Sequence, residues 1–204
     1  MPRDKTESHV RVKKAIRDEF LKKGYKGASI RSIGEKAGMT SAGLYRHYSN
    51  KEAMFGAIVE PLINDMNSWM ENHKNKKYDL ISQDNHNKEL FGESISDFVI
   101  EVIIPHKEEF LMLTECSKGT KYENFLHDFI LANQGDLIEA FEELRKHGYP
   151  VKDIDEEKLH MLISAHITAC LEPVIHNYDD DKIKECMETV RDFFMPGWMN
   201  LMGF

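Results

Sequence analysis

The stretch Ser29–Glu52, reading SIRSIGEKAGMTSAGLYRHYSNKE, concentrates the side chains with chemistry to offer. Ile30, Ile33, Ala37, Met39, Leu44 and Tyr48 fall at helical spacing and form an apolar face. The remainder is polar, basic or aromatic: Ser29, Arg31, Thr40, Ser41, Tyr45, Arg46, His47 and Lys51. That set suits phosphates and base edges. The N-terminus of a helix starting near Thr40–Ala42 presents backbone N–H groups to an anion. Ser41, Ala42 and Gly43 are small enough to let the backbone approach a groove. Gly43 costs a short helix about 1 kcal/mol relative to Ala, and close approach would be a reason to accept that. Tyr45 lies off the apolar face and is the stronger contact. Tyr48 shares a face with Leu44, so it divides between core and phosphate. Arg46 and His47 follow in the outer turn, Lys51 is placed as a phosphate clamp, and Arg31 and Ser29 reach the flanking strand. Such contacts mostly position a protein on DNA and few of them read sequence. Arg46 and Ser41 are the candidates for a base edge.

Charge segregation points the same way. The chain is −8 overall, yet residues 1–60 carry 13 Lys+Arg against 7 Asp+Glu, a balance of +6, leaving −14 for the rest. A basic head on an acidic body is the asymmetry expected when one domain meets a polyanion.

Other chemistries find less support. Gly38–Gly43 has the spacing of a phosphate-binding loop, but Leu44-Tyr45 stand where Lys-Ser/Thr is needed. No G-x-G-x-x-G, G-x-S-x-G or H-E-x-x-H occurs, so nothing invites an enzyme. His166 and Cys170 share a helix face at i, i+4, but a metal would need a third ligand there. No cofactor or metal is expected. Cys116, Cys170 and Cys186 form no C-x-x-C pair, which suggests reduced thiols in a cytoplasmic protein. The N-terminus lacks the apolar stretch of a secretory signal, and no run approaches the ~18–20 residues of a membrane span.

The elements that must carry these residues are all helical. Val12, Ile16 and Phe20 mark a first helix over 8–23, with Gly24 as terminator. Ser29 caps a helix to about Ala37, which Gly38 ends. Thr40 or Ser41 caps the next, to about His47. Ser49-Asn50-Lys51-Glu52 contains the S-x-x-E of a capping box, with Asn50 as the competing cap, before a helix reaching about His73. Pro61 interrupts that helix as a bend. We place the domain boundary there: 1–60 as a DNA-binding domain with its motif at about 29–48, and 61–204 as a second helical domain. Residues 74–88 read as a loop. Residues 89–104, with Leu90 and Phe91 inward, a short helix to about Cys116, one starting at Gly119–Thr120, and helices over 155–177 and 180–195 complete an all-α chain. Asp155 and Asp179 or Asp180 are their caps.

Ser29-Ile30-Arg31-Ser32-Ile33-Gly34, Ala37 through Tyr48 and Lys51-Glu52 together resemble the N-terminal domain of TetR-family transcriptional regulators. The match covers about residues 8–60, and departs in having Tyr48 where the family's usual residue is Phe. The resemblance implies three helices around a helix-turn-helix, followed by a helical effector-binding and dimerisation domain. It implies a one-component regulator, usually a repressor, that binds an inverted-repeat double-stranded operator as a homodimer and is released by a small-molecule effector. In the second domain, large apolar side chains suit a largely apolar effector. Phe98, Glu115, Cys116, Phe129, His166 and Glu172 are the candidate contacts. The apolar seams of the last two helices, Ile163 and Val174 on one and Ile183, Met187, Val190 and Phe194 on the other, are the candidate dimer interface. The competing readings are a helical protein–protein interaction module with a basic head, and a metal- or redox-sensing variant of the same regulator.

Overall fold

The structure is a computed structural model that describes residues 5–82 and 95–204. It is all-α, with no strand among the described residues. The helices are α1 (Lys5–Gly27), α2 (Ile30–Ala37), α3 (Ser41–Tyr45), α4 (Lys51–Ser82), α5 (Ile95–Phe98), α6 (Lys107–Glu115), α7 (Phe125–Lys146), α8 (Glu156–Ile175) and α9 (Asp180–Met202). The chain divides into two compact units. One comprises Met1–Asn64 with His106–Phe125, the other Asp65–Pro105 with Leu126–Phe204.

The first unit packs α1, α2, α3, the first part of α4 and α6 around Ile16, Phe20, Ile33, Leu44, Phe55 and Phe110, all at most 1% exposed. Gly24 (φ 65°, ψ 169°) ends the regular part of α1, as expected of a residue free to take positive φ. Tyr25 then folds back, stacking on Phe20 at 5.9 Å and meeting Phe55 edge-on at 5.8 Å. The segment His106–Phe125, which the sequence reading assigns to the second domain, belongs to this unit. The Tyr25 N–H donates to the Cys116 carbonyl (2.9 Å), the Lys121 N–H to Glu52 (2.8 Å), and the Tyr122 hydroxyl to Glu60 (2.7 Å).

Several expected boundaries shift. Asn50, not Ser49, caps α4: its Oδ1 accepts from the Ala53 N–H at 2.7 Å. Pro61 is accommodated within α4, its ring exposed. This helix continues to Ser82, so residues 74–82 are helical rather than loop. Residues 83–94, which take in the rest of that expected loop and the core positions Leu90 and Phe91, lie outside the described residues. Pro105 sits in a 3₁₀ turn (Ile104–His106) after a π-helical turn (Val99–Ile103). Lacking an N–H, proline cannot continue the α ladder there. Helix α7 starts at Phe125 rather than at Gly119–Thr120, and α9 runs on to Met202, taking in most of the apolar C-terminal tail.

The second unit contains the rest of α4, α5 and α7–α9. Asp155 and Asp179 cap α8 and α9 by accepting from the backbone N–H three residues on, at 2.8 and 2.9 Å. Its core holds Phe98, Val102, Ile103, Leu159, Ile167, Cys170, Leu171, Val174, Ile183 and Met187.

The candidate nucleic-acid interface and the second-unit cavity

The turn between α2 and α3 is built by specific local contacts. Ser29 caps α2, its Oγ accepting from the Ser32 N–H (3.4 Å). Gly38 ends the helix at φ 66°, ψ 35°. The Met39 N–H then donates to the Gly34 carbonyl at 2.9 Å, and a Cβ at Gly34 would lie 2.7 Å from the Met39 carbonyl oxygen. Position 34 therefore has no room for a side chain. Thr40 caps α3 through Oγ1, which takes the Gly43 N–H at 3.0 Å. Arg11 donates from Nε to the Ala37 carbonyl at 2.9 Å, tying α1 to the C-terminal end of α2.

One residue that the sequence did not mark organises this arrangement. Glu19 is wholly buried, and its carboxylate accepts from Ser32 Oγ, Lys36 Nζ and Lys23 Nζ at 2.8 Å each and from the Ser29 N–H at 3.2 Å. Burial alone would raise its pKa. The Lys23, Lys36, Ser32 and Ser29 donors outweigh that and hold it at about 2. A carboxylate on α1 thus fixes both the start of α2 and, through Lys36, its last turn.

Around this frame the expected DNA-contact residues divide. Thr40, Ala42, Tyr45, Arg46 and His47 are exposed, with Tyr45 at 50%. Arg31 is exposed and paired with Glu35 at 2.9 Å, an i, i+4 surface contact of little energetic weight. Ser41 and Gly43 are half-buried, and so is Tyr48, whose phenol pKa burial raises. A Cβ at Gly43 would meet Met39 Cε and Thr40 Oγ1 at 3.4 Å, which a flexible side chain can yield. Ser29 is occupied within the fold. Lys51 turns inward, its ammonium 4.8 Å from the centre of the Tyr25 ring and 3.4 Å from the Lys26 carbonyl. Burial lowers its pKa, with Glu19 opposing.

The second unit holds a cavity of about 210 Å³, smaller than the roughly 300–1,000 Å³ usual for drug-sized ligands. Its walls come from α4 (Trp69, His73, Lys77, Ile81 among others), α7 (Asn133, Asp136, Leu144), α8 (Ile163, His166, Ile167) and α9 (Met195, Trp198, Met202). Of the effector contacts expected from sequence, only His166 lines it. Phe98 is fully buried and stacks on Phe129 at 5.4 Å, both of them away from the cavity wall. Glu115 and Cys116 belong to the first unit, where burial raises the Cys116 thiol pKa. Glu172 is exposed and pairs with His176 at 2.9 Å. The α4 wall residues from Lys74 to Ile81 lie beyond His73, where the sequence reading ends that helix.

His166 is 9% exposed, and its Nδ1 receives the indole N–H of Trp198 at 3.1 Å. An indole N–H only donates, so Nδ1 carries the lone pair and the ring proton resides on Nε2. Burial holds the ring neutral, its pKa lowered to about 4. Cys170, one turn on, faces Ser96 Oγ at 3.9 Å, and burial drives its thiol pKa up to about 12. That disfavours the thiolate that a metal or redox switch requires. Among the described residues no three His, Cys, Asp or Glu side chains converge on one point.

The expected dimer seams need correction. Ile163, Val174, Ile183 and Met187 are buried in their own subunit, at most 5% exposed. In a helical bundle the strongest apolar stripe packs into the chain's own core, and these four do so. Val190 and Phe194 are half-buried. The apolar side chains left outward on α8 and α9 are Met161 (60% exposed) and Phe193 (78%). Leu162, Phe194, Gly197, Trp198 and Leu201 line an apolar depression on these two helices. No helix among the described residues is long and apolar enough to cross a membrane.

Residues 14–58 match the family model described as bacterial regulatory proteins, tetR family. Among solved structures, the chain is similar to PfmR, a TetR family transcriptional regulator from Thermus thermophilus. The two share 18% identity, with 95% of this chain and 98% of that one covered and a TM-score of 0.58. It is also similar to NalD, the secondary repressor of the MexAB-OprM multidrug efflux pump in Pseudomonas aeruginosa, at 16% identity, 95% and 97% coverage and a TM-score of 0.50. Identities this low establish a shared fold.

Proposed function

We propose that this chain, a TetR-family transcriptional regulator, is a cytoplasmic homodimeric repressor that binds an inverted-repeat operator and releases it when a small molecule enters the second-unit cavity. The observation that carries the DNA reading is the outward set Thr40, Ala42, Tyr45, Arg46 and His47. It lies on and immediately beside the short helix α3, whose approach is fixed by Glu19, Gly34 and Gly38. A helix-turn-helix of this kind lays its second helix in the major groove, and a two-fold dimer reads two half-sites. Tyr45, Arg46 and His47 are the side chains offered to the groove, with Ser41 and Tyr48 at its edge. Arg31 reaches phosphate once it leaves Glu35. Lys51 supports the domain from inside and contributes less to the backbone than its position in sequence suggested.

The homodimer forms, on this reading, through the outward face of α8 and α9, with Met161, Phe193, Phe194 and Leu201 at its centre. Phe193 meets Phe194 edge-on at 5.2 Å, and Phe194 and Leu201 line an apolar depression with Leu162; apolar surface of this kind is characteristic of faces that meet a partner. The test is binding of the whole chain to an inverted-repeat duplex as salt is raised. Phosphate-led contact predicts a steep, log-linear loss of affinity between about 50 and 200 mM salt. Affinity that stays flat over that range contradicts it.

A further inference from the structure

Two features of the second-unit cavity specify a ligand chemistry. The first is His166. With Nδ1 occupied by Trp198, its Nε2–H points away from that bond, is buried, and has no hydrogen-bond partner. A buried donor left unpaired is costly, whereas an acceptor placed against it recovers a hydrogen bond in surroundings that strengthen it. The second is charge. The lining residues include three lysines, Lys74, Lys76 and Lys77, against one carboxylate, Asp136. Lys74 is satisfied by Asp136 at 2.8 Å and Glu139 at 2.7 Å. Lys77 makes no hydrogen bond or ion pair among the described residues; burial lowers its pKa, with Asp136 opposing through space. Asp136, the one carboxylate of the lining, already binds Lys74, so a half-buried cation at Lys77 favours an anion that enters beside it. The rest of the wall is apolar: Trp69, Ile81, Leu144, Ile163, Ile167 and Met202.

We propose that the cavity takes a compact apolar carboxylic acid, whose carboxylate accepts the Nε2–H of His166 and is balanced by the Lys77 ammonium while its hydrocarbon part lies against the apolar wall. This names the effector class and rests on the effector reading above. The carboxylate is the head group that answers both features at once. An alcohol or ester can accept from His166 but leaves Lys77 unbalanced, and an amine meets like charge.

The test is calorimetric titration of the whole chain with octanoate and with 1-octanol, each also monitored by release of operator DNA. Octanoate is expected to bind at least about tenfold more tightly than octanol. Lys77→Met should remove that preference by weakening octanoate about tenfold while leaving octanol unchanged. His166→Phe should weaken octanoate, and His166→Gln, which keeps an N–H at the same reach, should restore most of it. If a His166 variant fails to fold, the Lys77→Met comparison still decides, because that side chain makes no internal bond to lose. Equal affinity for octanoate and octanol, undiminished octanoate binding by Lys77→Met, or no binding of octanoate by a protein that still binds operator, would each overturn the acid site. Octanoate binding that leaves the operator bound supports the acid site and overturns only its role in release.

Discussion

Glu19→Gln isolates the charge that ties α1 to α2. The substitution keeps the shape and one acceptor oxygen but replaces the other with an amide that faces donors. Two lysine ammonium groups at 2.8 Å, one hydroxyl at 2.8 Å and one backbone N–H at 3.2 Å then lose an anion. Hydrogen bonds to charged groups contribute about 1.5–3 kcal/mol each. Lys23 and Lys36 are 42% exposed, however, and recover most of their share from water. The net loss is about 2 kcal/mol, or roughly 30-fold in the local opening equilibrium. Hydrogen exchange on the whole chain reads this directly. Amides of Ile33–Ala37 should lose about 30-fold in protection, while those of α8 stay unchanged. The acid limb fixes the sign. The folded pKa of Glu19, about 2, lies below its ordinary 4.5. Its contribution is therefore complete above about 4.5 and is lost as pH falls through about 2, where wild type and variant should converge. Full protection of α2 in the variant at neutral pH would refute the assignment of Glu19 as the tie between α1 and α2.

Four further substitutions have distinct expected outcomes. Gly34→Ala should disrupt the α2–α3 turn and abolish operator binding, because a Cβ there meets backbone at 2.7 Å; Gly43→Ala should leave the melting temperature unchanged or raised, by up to about 1 kcal/mol of helix propensity, while weakening DNA binding if the groove wall is as close as proposed. Thermal melts beside electrophoretic shifts separate the two, and equal effects on both readouts would count against this division of labour. Tyr122→Phe removes the 2.7 Å bond to Glu60 and should cost about 1 kcal/mol in urea unfolding of the first unit, with the Glu60 pKa rising because its largest depressing contact is gone. A variant as stable as wild type would show that this bond contributes nothing. Phe193→Asp should shift the mass in solution toward the monomer without loss of helical circular dichroism, and a dimer that persists would remove α9 from the interface.

Much of the first unit was legible because its signals are local. Ser29, Gly38 and Thr40 act through caps and turns spanning three or four residues, and those geometries are written in residue type. Glu19 was not legible. A glutamate on a basic helix reads as solvated, and only the tertiary approach of Ser32 and Lys36, 13 and 17 residues on, turns it into a hub. The cavity was missed for a related reason. Lys74–Lys77 are polar and weakly periodic, so they read as loop, yet they stay helical through contacts 62 and 65 residues away at Asp136 and Glu139. The dimer seams were assigned to the strongest apolar stripes. Those stripes, Ile163–Val174 and Ile183–Met187, form the core of the second unit, and the outward positions Met161 and Phe193 carry too little pattern to stand out in the sequence.

The central claim, that Thr40–His47 reads duplex DNA in two symmetric copies, is tested most directly by selecting bound duplexes from a random pool with the whole chain. The expected result is enrichment of an inverted repeat whose half-site preference collapses when Tyr45 and Arg46 are both replaced by Ala. A pool that shows no enriched sequence, or one whose enrichment survives that double replacement, would contradict it.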